Sequence, residues 1–305
     1  MQNIRDISNE PVNKEFVKYY VSIDSSHRNR LLYPNNNDYV VSLGERYHGI
    51  YSIRLIEAVI PNSEYIINDN NNKIDFTYSS TDSSTDYTAT LTNGNYTPTS
   101  STDLEANIKT AMNAAVGGVI SSITYSDLTR KLTFNTGGNV TFNFKTGNNA
   151  VNNAAELLGF NPYENKTISS GNTSDNVINV NGPNYIILNI DADDDELNAL
   201  SNEHGSGPTQ GSSSSSATDN IYASQVFGKL PLDVTQGNNI HFKDEYPIEY
   251  IFKRGLKASL NKFKISFYKK YGDNSQKFNF NGQEHQLTFE IKCCLDKKKA
   301  LEYNF

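Results

Sequence analysis

Two hydrophobic rhythms share this chain. From Phe16 the period is two: FVKYYVSID (16–24) and NDYVVSLG (37–44) read as strands on either side of a turn-rich loop holding Tyr33, Pro34 and three asparagines. IYSIRLIEAVIP (50–61) sets Ile50, Ser52, Arg54 and Ile56 against Tyr51, Ile53, Leu55 and Glu57. That is an imperfect alternation, expected of a strand covered on much of both faces, and Pro61 ends it. The same style returns in NYIILNID (184–191), IYASQVFGKL (221–230), YPIEYIFKR (246–254), LNKFKISFYKKYG (260–272) and HQLTFEIKCCL (285–295). Phe263, Ile265 and Phe267 alternate with Lys262, Lys264 and Ser266, and Leu287, Phe289 and Ile291 alternate with Gln286, Thr288 and Glu290. Both are half-buried strands.

Between these stretches the pattern changes. KIDFTYS (73–79) and DYTATLT (86–92) read as a hairpin. In TDLEANIKTAMNAAV, Leu104, Ile108, Ala111, Met112 and Ala115 recur at helical spacing, opened by the capping box Thr102/Glu105 and stopped by Gly117-Gly118. VISSITYS, the turn DLTR, KLTFN, a Gly-Gly turn and VTFNFK follow, and NNAVNNAAELLGF (148–160) is expected to be a short helix closing at Gly159. The block can bury a core of its own.

Setting it aside leaves eight strands, at 16–24, 37–44, 50–60, 184–191, 221–230, 246–254, 260–270 and 285–294. The expected fold is all-β, an antiparallel β-sandwich for which a jelly roll is one solution and other sandwiches are equally allowed by the count. The expected domains are residues 1–72 as an N-terminal arm and first part, 73–181 as an inserted α+β domain, and 182–305 as the second part. The Ser/Gly-rich stretch 205–219 is expected to be a flexible loop within that second part. Composition agrees: 41 Asn, 30 Ser and 22 Thr disfavour helices, while 19 Tyr and 15 Phe supply a β-rich core.

Charge divides along the chain. Net charge is −7. Residues 61–220 carry 6 basic against 18 acidic side chains, and residues 248–305 carry 12 against 6. An acidic middle and a basic end imply different neighbours. The only cysteines, Cys293 and Cys294, are adjacent and poorly placed to bridge each other, which favours a reducing compartment for folding. The N-terminal MQNIRDISNEPVNKEF lacks an apolar signal core, and no apolar run approaches the ~18 residues of a membrane span. The expected protein is soluble and made inside a cell.

Chemistry is sparse. His27, His48, His204, His241 and His285 occur singly, without a zinc spacing. Asp191, Asp193, Asp194 and Asp195 form the one carboxylate cluster suited to a hard cation, without the glycine and distal Glu of an EF-hand, so a solvated acidic loop is expected. Asp24-Ser25-Ser26-His27 has triad-type residues, but adjacency alone does not build a relay, and no G-x-S-x-G elbow or phosphate loop is present. Lys262, Lys264, Lys269 and Lys270 interleave with Phe263, Phe267, Tyr268 and Tyr271. They suit phosphate contacts or a lysine-protected strand face, and Lys297-Lys298-Lys299 suit contact with phosphate or solubility alone. No catalytic, metal or cofactor residue is assigned.

The phrase order is more informative. YYVSIDSSHRNRLLYPNNNDYVVSL followed by IYSIRLIEAVIPNSEYIIN, the interior ITYSDLTRKLTFN, VTFNFK and AAELLGF, and the closing FNFNGQEHQLTFEI resemble the minor capsid (penton) proteins of virophages, Polinton-like viruses and nucleocytoplasmic large DNA viruses. The matches run from about residue 19 to residue 291. The resemblance implies a single eight-stranded jelly roll interrupted by an inserted domain facing outward, without an active site or cofactor. It implies a homopentamer at the vertex of an icosahedral double-stranded DNA virus, contacting the major capsid protein, located in the virion and assembled in host cytoplasm. Arg28, Arg30, Tyr33 and Arg54 are then candidate interface residues, being Arg and aromatic anchors. The basic C-terminal part suits weak contact with packaged DNA. A rival reading makes the inserted block a receptor- or carbohydrate-binding module touching the host surface, using Tyr87, Tyr96 and Tyr125. A hydrolase on a β-sandwich, testable at His27 and His285, is the third.

Overall fold

The computed structural model describes residues 15–79, 84–96, 103–193, 195–197, 200–205, 221–252, 255–270 and 276–295. The chain divides into two compact units, Met1–Ser63 with Pro183–Phe305, and Glu64–Gly182. In chain order the elements are β1 (Phe16–Asp24), a 3-10 turn (Ser25–His27), β2 (Asp38–Pro61), β3 (Lys73–Ser79), β4 (Ser84–Thr90), α1 (Asp103–Ala115), β5 (Ile120–Ser126), β6 (Lys131–Thr136), β7 (Asn139–Phe142), α2 (Ala155–Leu158), β8 (Lys166–Ile168) and β9 (Asn172–Thr173). After these come β10 (Tyr185–Ala192), β11 (Asp195–Glu196), β12 (Leu200–Gly205), β13 (Ile221–Val226), β14 (Gly228–Pro231), β15 (Asn239–Ile251), β16 (Lys257–Lys270), β17 (Gln276–Lys277) and β18 (Gln286–Cys294).

The first unit is a jelly roll. One row of antiparallel strands runs β1–β18–β2–β15 and uses β2 from Ile50 onward. The other runs β2–β16–β10–β14 and uses β2 up to Ile50. Inward residues of both rows share one core: Ile53, Leu55, Leu287, Phe289 and Ile291 from the first, and Ile186, Leu188, Ile190, Phe263, Ile265 and Phe267 from the second. The rings of Phe263 and Phe289 meet across it at 5.3 Å. Burying each such side chain contributes about 1.5–3 kcal/mol.

β2 corrects the expected pair of strands at 37–44 and 50–60. It is one 24-residue strand that passes from one row to the other. Gly44 (φ 75°) and Gly49 (φ 61°) bend it without ending it. The imperfect alternation of 50–61 also has a cause. The pairing register with β18 shifts at Lys292/Cys293 and again at Thr288/Phe289, leaving Tyr51 and Ile56 as bulges without a partner residue in β18, so Ile50, Ile53, Leu55, Ala58 and Ile60 all face the core. The expected strand 221–230 is two strands: β13 pairs with β12, and β14 pairs with β10. The strand expected at 246–254 begins earlier, at Asn239, and its last residues, 253 and 254, lie outside the described residues.

The second unit has a sheet β4–β3–β7–β8, a smaller sheet β5–β6–β9, and α1. Its core gathers Phe76, Phe134, Phe142, Phe144 and Phe160 with Leu104, Ile108 and Met112 of α1. Asn113 of α1 holds the start of β5, its side chain donating to Ile120 O (2.9 Å) and accepting from Ile120 N (2.8 Å). The unit begins at Glu64 and not at 73, because Ile66 and Ile67 belong to its core and Ile67 exchanges backbone hydrogen bonds with Gly94. The helix expected over 148–160 is only α2, Ala155–Leu158. Asn153 accepts from Ala155 N (2.9 Å) and donates to Phe144 O and Ala150 O, so the preceding backbone is committed to turns. Gly159 (φ 79°) closes it as expected. Thr102 of the capping box lies outside the described residues. Among the described residues no helix is long and apolar enough to cross a membrane.

Candidate functional site

The loop between β1 and β2 unites residues far apart in sequence. β1 ends at Asp24, whose carboxylate accepts from Ser26 N (2.8 Å) and Gln286 Nε2 (3.0 Å); the hydrogen bonding from Ser26 leads in holding it below the usual carboxylate range. Ser25 is fully buried. Its hydroxyl donates to Glu284 Oε2 (2.6 Å) and accepts from His285 N (2.9 Å), while Ser25 N donates to His285 O (3.0 Å). Arg28 then closes the clasp. Its Nη1 donates to Glu284 Oε1 (2.9 Å), Glu284 Oε2 (2.7 Å) and Ser25 O (2.8 Å); Nε reaches Tyr33 O (3.0 Å) and Nη2 reaches Pro34 O (3.1 Å). With 6% of its side chain exposed, Arg28 is an internal cross-link between the loop and the segment before β18.

Partial burial pushes the Glu284 carboxyl upward, but hydrogen bonds from Arg28 and Ser25 and the charge of Arg28 outweigh it, leaving the group below its ordinary range. His285 is buried against Phe267 (4.5 Å between rings) and Phe280 (4.8 Å), and its Nε2 lies 3.0 Å from the Tyr39 hydroxyl. Burial lowers its pKa to about 3, so it is neutral at physiological pH, and burial raises that of Tyr39. Ser25 therefore spends its hydroxyl on Glu284 and a backbone amide, not on an imidazole. That arrangement holds a loop in place; it does not activate a nucleophile.

What the clasp presents is apolar. Asn29 Oδ1 accepts from Leu31 N (3.1 Å) and Leu32 N (3.3 Å), and Asn29 O accepts from Tyr33 N (2.8 Å). The turn so fixed carries Leu31 at 96% and Leu32 at 70% exposure. Two leucines held open to water on a cross-linked turn have no part in this chain's own core. Beside them Arg30, 63% exposed, donates to Glu284 Oε1 at 3.1 Å.

A family model covers most of the chain: residues 7–242 match the family of unknown function DUF5901. The chain belongs to this family. No curated protein matches. Among solved structures, the crystal structure of the mavirus penton protein is 12% identical at a TM-score of 0.42, over 92% of this chain and 100% of that one. A chain from the 3.5 Å cryo-EM structure of the Sputnik virophage is 14% identical at a TM-score of 0.35, over 95% of this chain and 99% of that one.

In this DUF5901 member the four candidate interface residues have different fates. Arg28 is internal and Arg30 exposed; Tyr33 is half-buried and packs on the core. Arg54 lies away from this loop in β2, opposite Glu290 of β18 and Glu249 of β15. The acidic stretch makes protein contacts. Asp191 pairs with Lys264 (3.6 Å), Asp193 accepts from Asn261 N (3.0 Å) and Lys262 N (3.0 Å), and Asp195 pairs with Lys257; Asp194 lies outside the described residues. Among the described residues no three metal-type donors converge. The basic end is partly matched as well: Lys277 pairs with Asp38, and Lys292 sits over the rings of Phe16 (4.4 Å) and Tyr51 (5.0 Å). Lys297, Lys298, Lys299 and residues 206–219 of the expected flexible loop lie outside the described residues.

Sequence reasoning missed Glu284, the Tyr39–His285 contact and the exposed Leu31-Leu32 pair. Of these, Leu31-Leu32 had a signal: two leucines inside a loop of Asn, Arg and Pro, where burial in the chain's own core is not expected.

Proposed function

We propose that the chain is a structural subunit of an icosahedral viral capsid, placed at the vertex as a homopentamer and contacting the major capsid protein. The observation that carries this reading is the Arg28–Glu284 clasp. It joins the opening and closing phrases of the penton resemblance, I-D-S-x-x-R and N-G-x-E-H, across the jelly roll. These phrases thus encode one structural device, whose outward product is an apolar knob. A heterologous ring sets one patch of each copy against a different patch of the next, and Leu31, Leu32 and Arg30 have the chemistry of such a contact.

The test is the native mass of the full chain by light scattering over concentration and salt, alone and with the major capsid protein of the same virus. A five-copy species, or one that forms only with that partner, supports the reading. Assembly that Leu31→Asp/Leu32→Asp leaves untouched would remove the knob from it, and a monomer that never enters particles would overturn it.

A further inference from the structure

A groove in the Glu64–Gly182 unit has a chemistry the capsid reading does not use. On one face of the sheet β4–β3–β7–β8, the cross-strand pairs are Asp75 with Thr88 and Thr77 with Asp86. Thr88 Oγ1 donates to Asp75 Oδ1 (2.6 Å), Thr77 Oγ1 donates to Asp86 Oδ1 (2.5 Å), and Asn143 Nδ2 donates to Thr77 Oγ1 (2.8 Å). The segment 143–149 arches beside this face and is pinned to it. Asn149 donates to Asp75 through its backbone N (2.6 Å) and its Nδ2 (2.9 Å), and Asn143 N donates to Asp75 O (2.8 Å). Gly147 fits because it lacks a side chain: a Cβ there would lie 2.4 Å from Asp75 Oδ2.

The space left is about 310 Å³, edged by Asp75, Asp86, Thr88, Asn143, Thr146 and Tyr87. It falls at the lower end of ligand-site volumes, roughly 300–1,000 Å³, which suits one or two sugar rings. The lining has two carboxylates, threonine hydroxyls and the side-chain amides of Asn143 and Asn148, with no Lys or Arg. Hydroxyl groups of a ligand donate to such carboxylates and accept from the side-chain amides and the Thr146 hydroxyl, the protons of Thr77 and Thr88 being already given to Asp86 and Asp75, whereas an anion is repelled. The lining groups are already oriented by the bonds among themselves, so little ordering remains for binding to supply.

We propose that this groove binds a neutral, hydroxyl-rich ligand, the terminal one or two residues of an uncharged glycan. The proposal stands independently of the capsid reading. Full-length protein is titrated, with amide chemical shifts as the readout, against methyl glycosides of glucose, galactose, mannose and N-acetylglucosamine. Sialyllactose serves as the anionic control and calcium chloride as the cation control. The expected result is saturable shifts at Thr88, Asn143 and Thr146 with at least one neutral glycoside and none with sialyllactose. Asp86→Ala, at an exposed position, is expected to weaken binding about tenfold or more with the thermal midpoint unchanged. Four results would each overturn the proposal: silence from every neutral glycoside, equal binding of sialyllactose, affinity that survives both Asp86→Ala and Asn143→Ala, or a saturable response to calcium in place of sugar.

Discussion

Replacing Arg28 by alanine tests the clasp most directly. The truncation removes both hydrogen bonds to Glu284 and the donors to Ser25 O, Tyr33 O and Pro34 O. Removing one partner of a fully buried pair costs about 3–5 kcal/mol. Glu284 is 26% exposed and keeps Ser25 and Arg30, so the expected loss is about 2–3 kcal/mol after allowing for solvent. Arg30→Ala removes an exposed pair to the same carboxylate, and its expected loss is at most about 1 kcal/mol. The chain has two units, so one global transition is the wrong measure; hydrogen exchange at the Ser25 and His285 amides, which close the clasp, reports the local free energy. Glu284 adds a pH signature. Its folded-state pKa is lowered, so its contribution is full above the ordinary value of 4.5 and is lost as pH falls through the folded-state pKa. Glu284→Gln is expected to flatten that acid limb. Equal costs for Arg28→Ala and Arg30→Ala would refute the reasoning, because exposure would then not decide which arginine holds the loop.

Four further outcomes are expected. His285→Phe leaves the Tyr39 hydroxyl buried without its partner, costing about 1–3 kcal/mol in hydrogen exchange at the Ser25 amide, and adding Tyr39→Phe restores much of the loss. Because His285 stays neutral down to about pH 3 when folded but titrates near 6.5 when unfolded, wild-type stability falls as pH drops through that window; His285→Phe shows a smaller slope. Leu31→Ser/Leu32→Ser keeps monomer stability within about 0.5 kcal/mol while reducing assembly measured by light scattering. Gly159→Ala, at φ 79° with a Cβ 2.4 Å from Asn176 O, costs at least about 1 kcal/mol in thermal unfolding of the Glu64–Gly182 unit.

Local order was legible and long-range closure was not. β1 reads directly from FVKYYVSID, and the inward set of β18 from the alternation of Leu287, Phe289 and Ile291, because period two needs no tertiary information. β2 was harder: Gly44 and Gly49 look like strand ends, and the bulges at Tyr51 and Ile56 depend on partners more than 200 residues away. The expected helix over 148–160 failed because the Asn153 side chain took backbone groups a helix needs, a competition that apolar spacing does not show. At the site, the I-D-S-x-x-R phrase was visible, but Arg28 read as an anchor for a neighbour. Its partner Glu284 stands 256 positions away, so spacing gave no hint that this guanidinium was already engaged.

The way β2 is shared between the two rows also sets an order of events during synthesis. β1 leaves the ribosome early, yet Tyr20 bonds to a residue 270 positions later, and β2 waits for β15, β16 and β18. At roughly 5–20 residues per second, the wait for β18 is on the order of 15–50 seconds. The Glu64–Gly182 unit is contiguous, and its strands pair among themselves, so the topology predicts that it matures while the flanking strands are still unpaired. Nascent chains stalled before residue 286 would hold a finished inner unit between two sticky, unclosed ends.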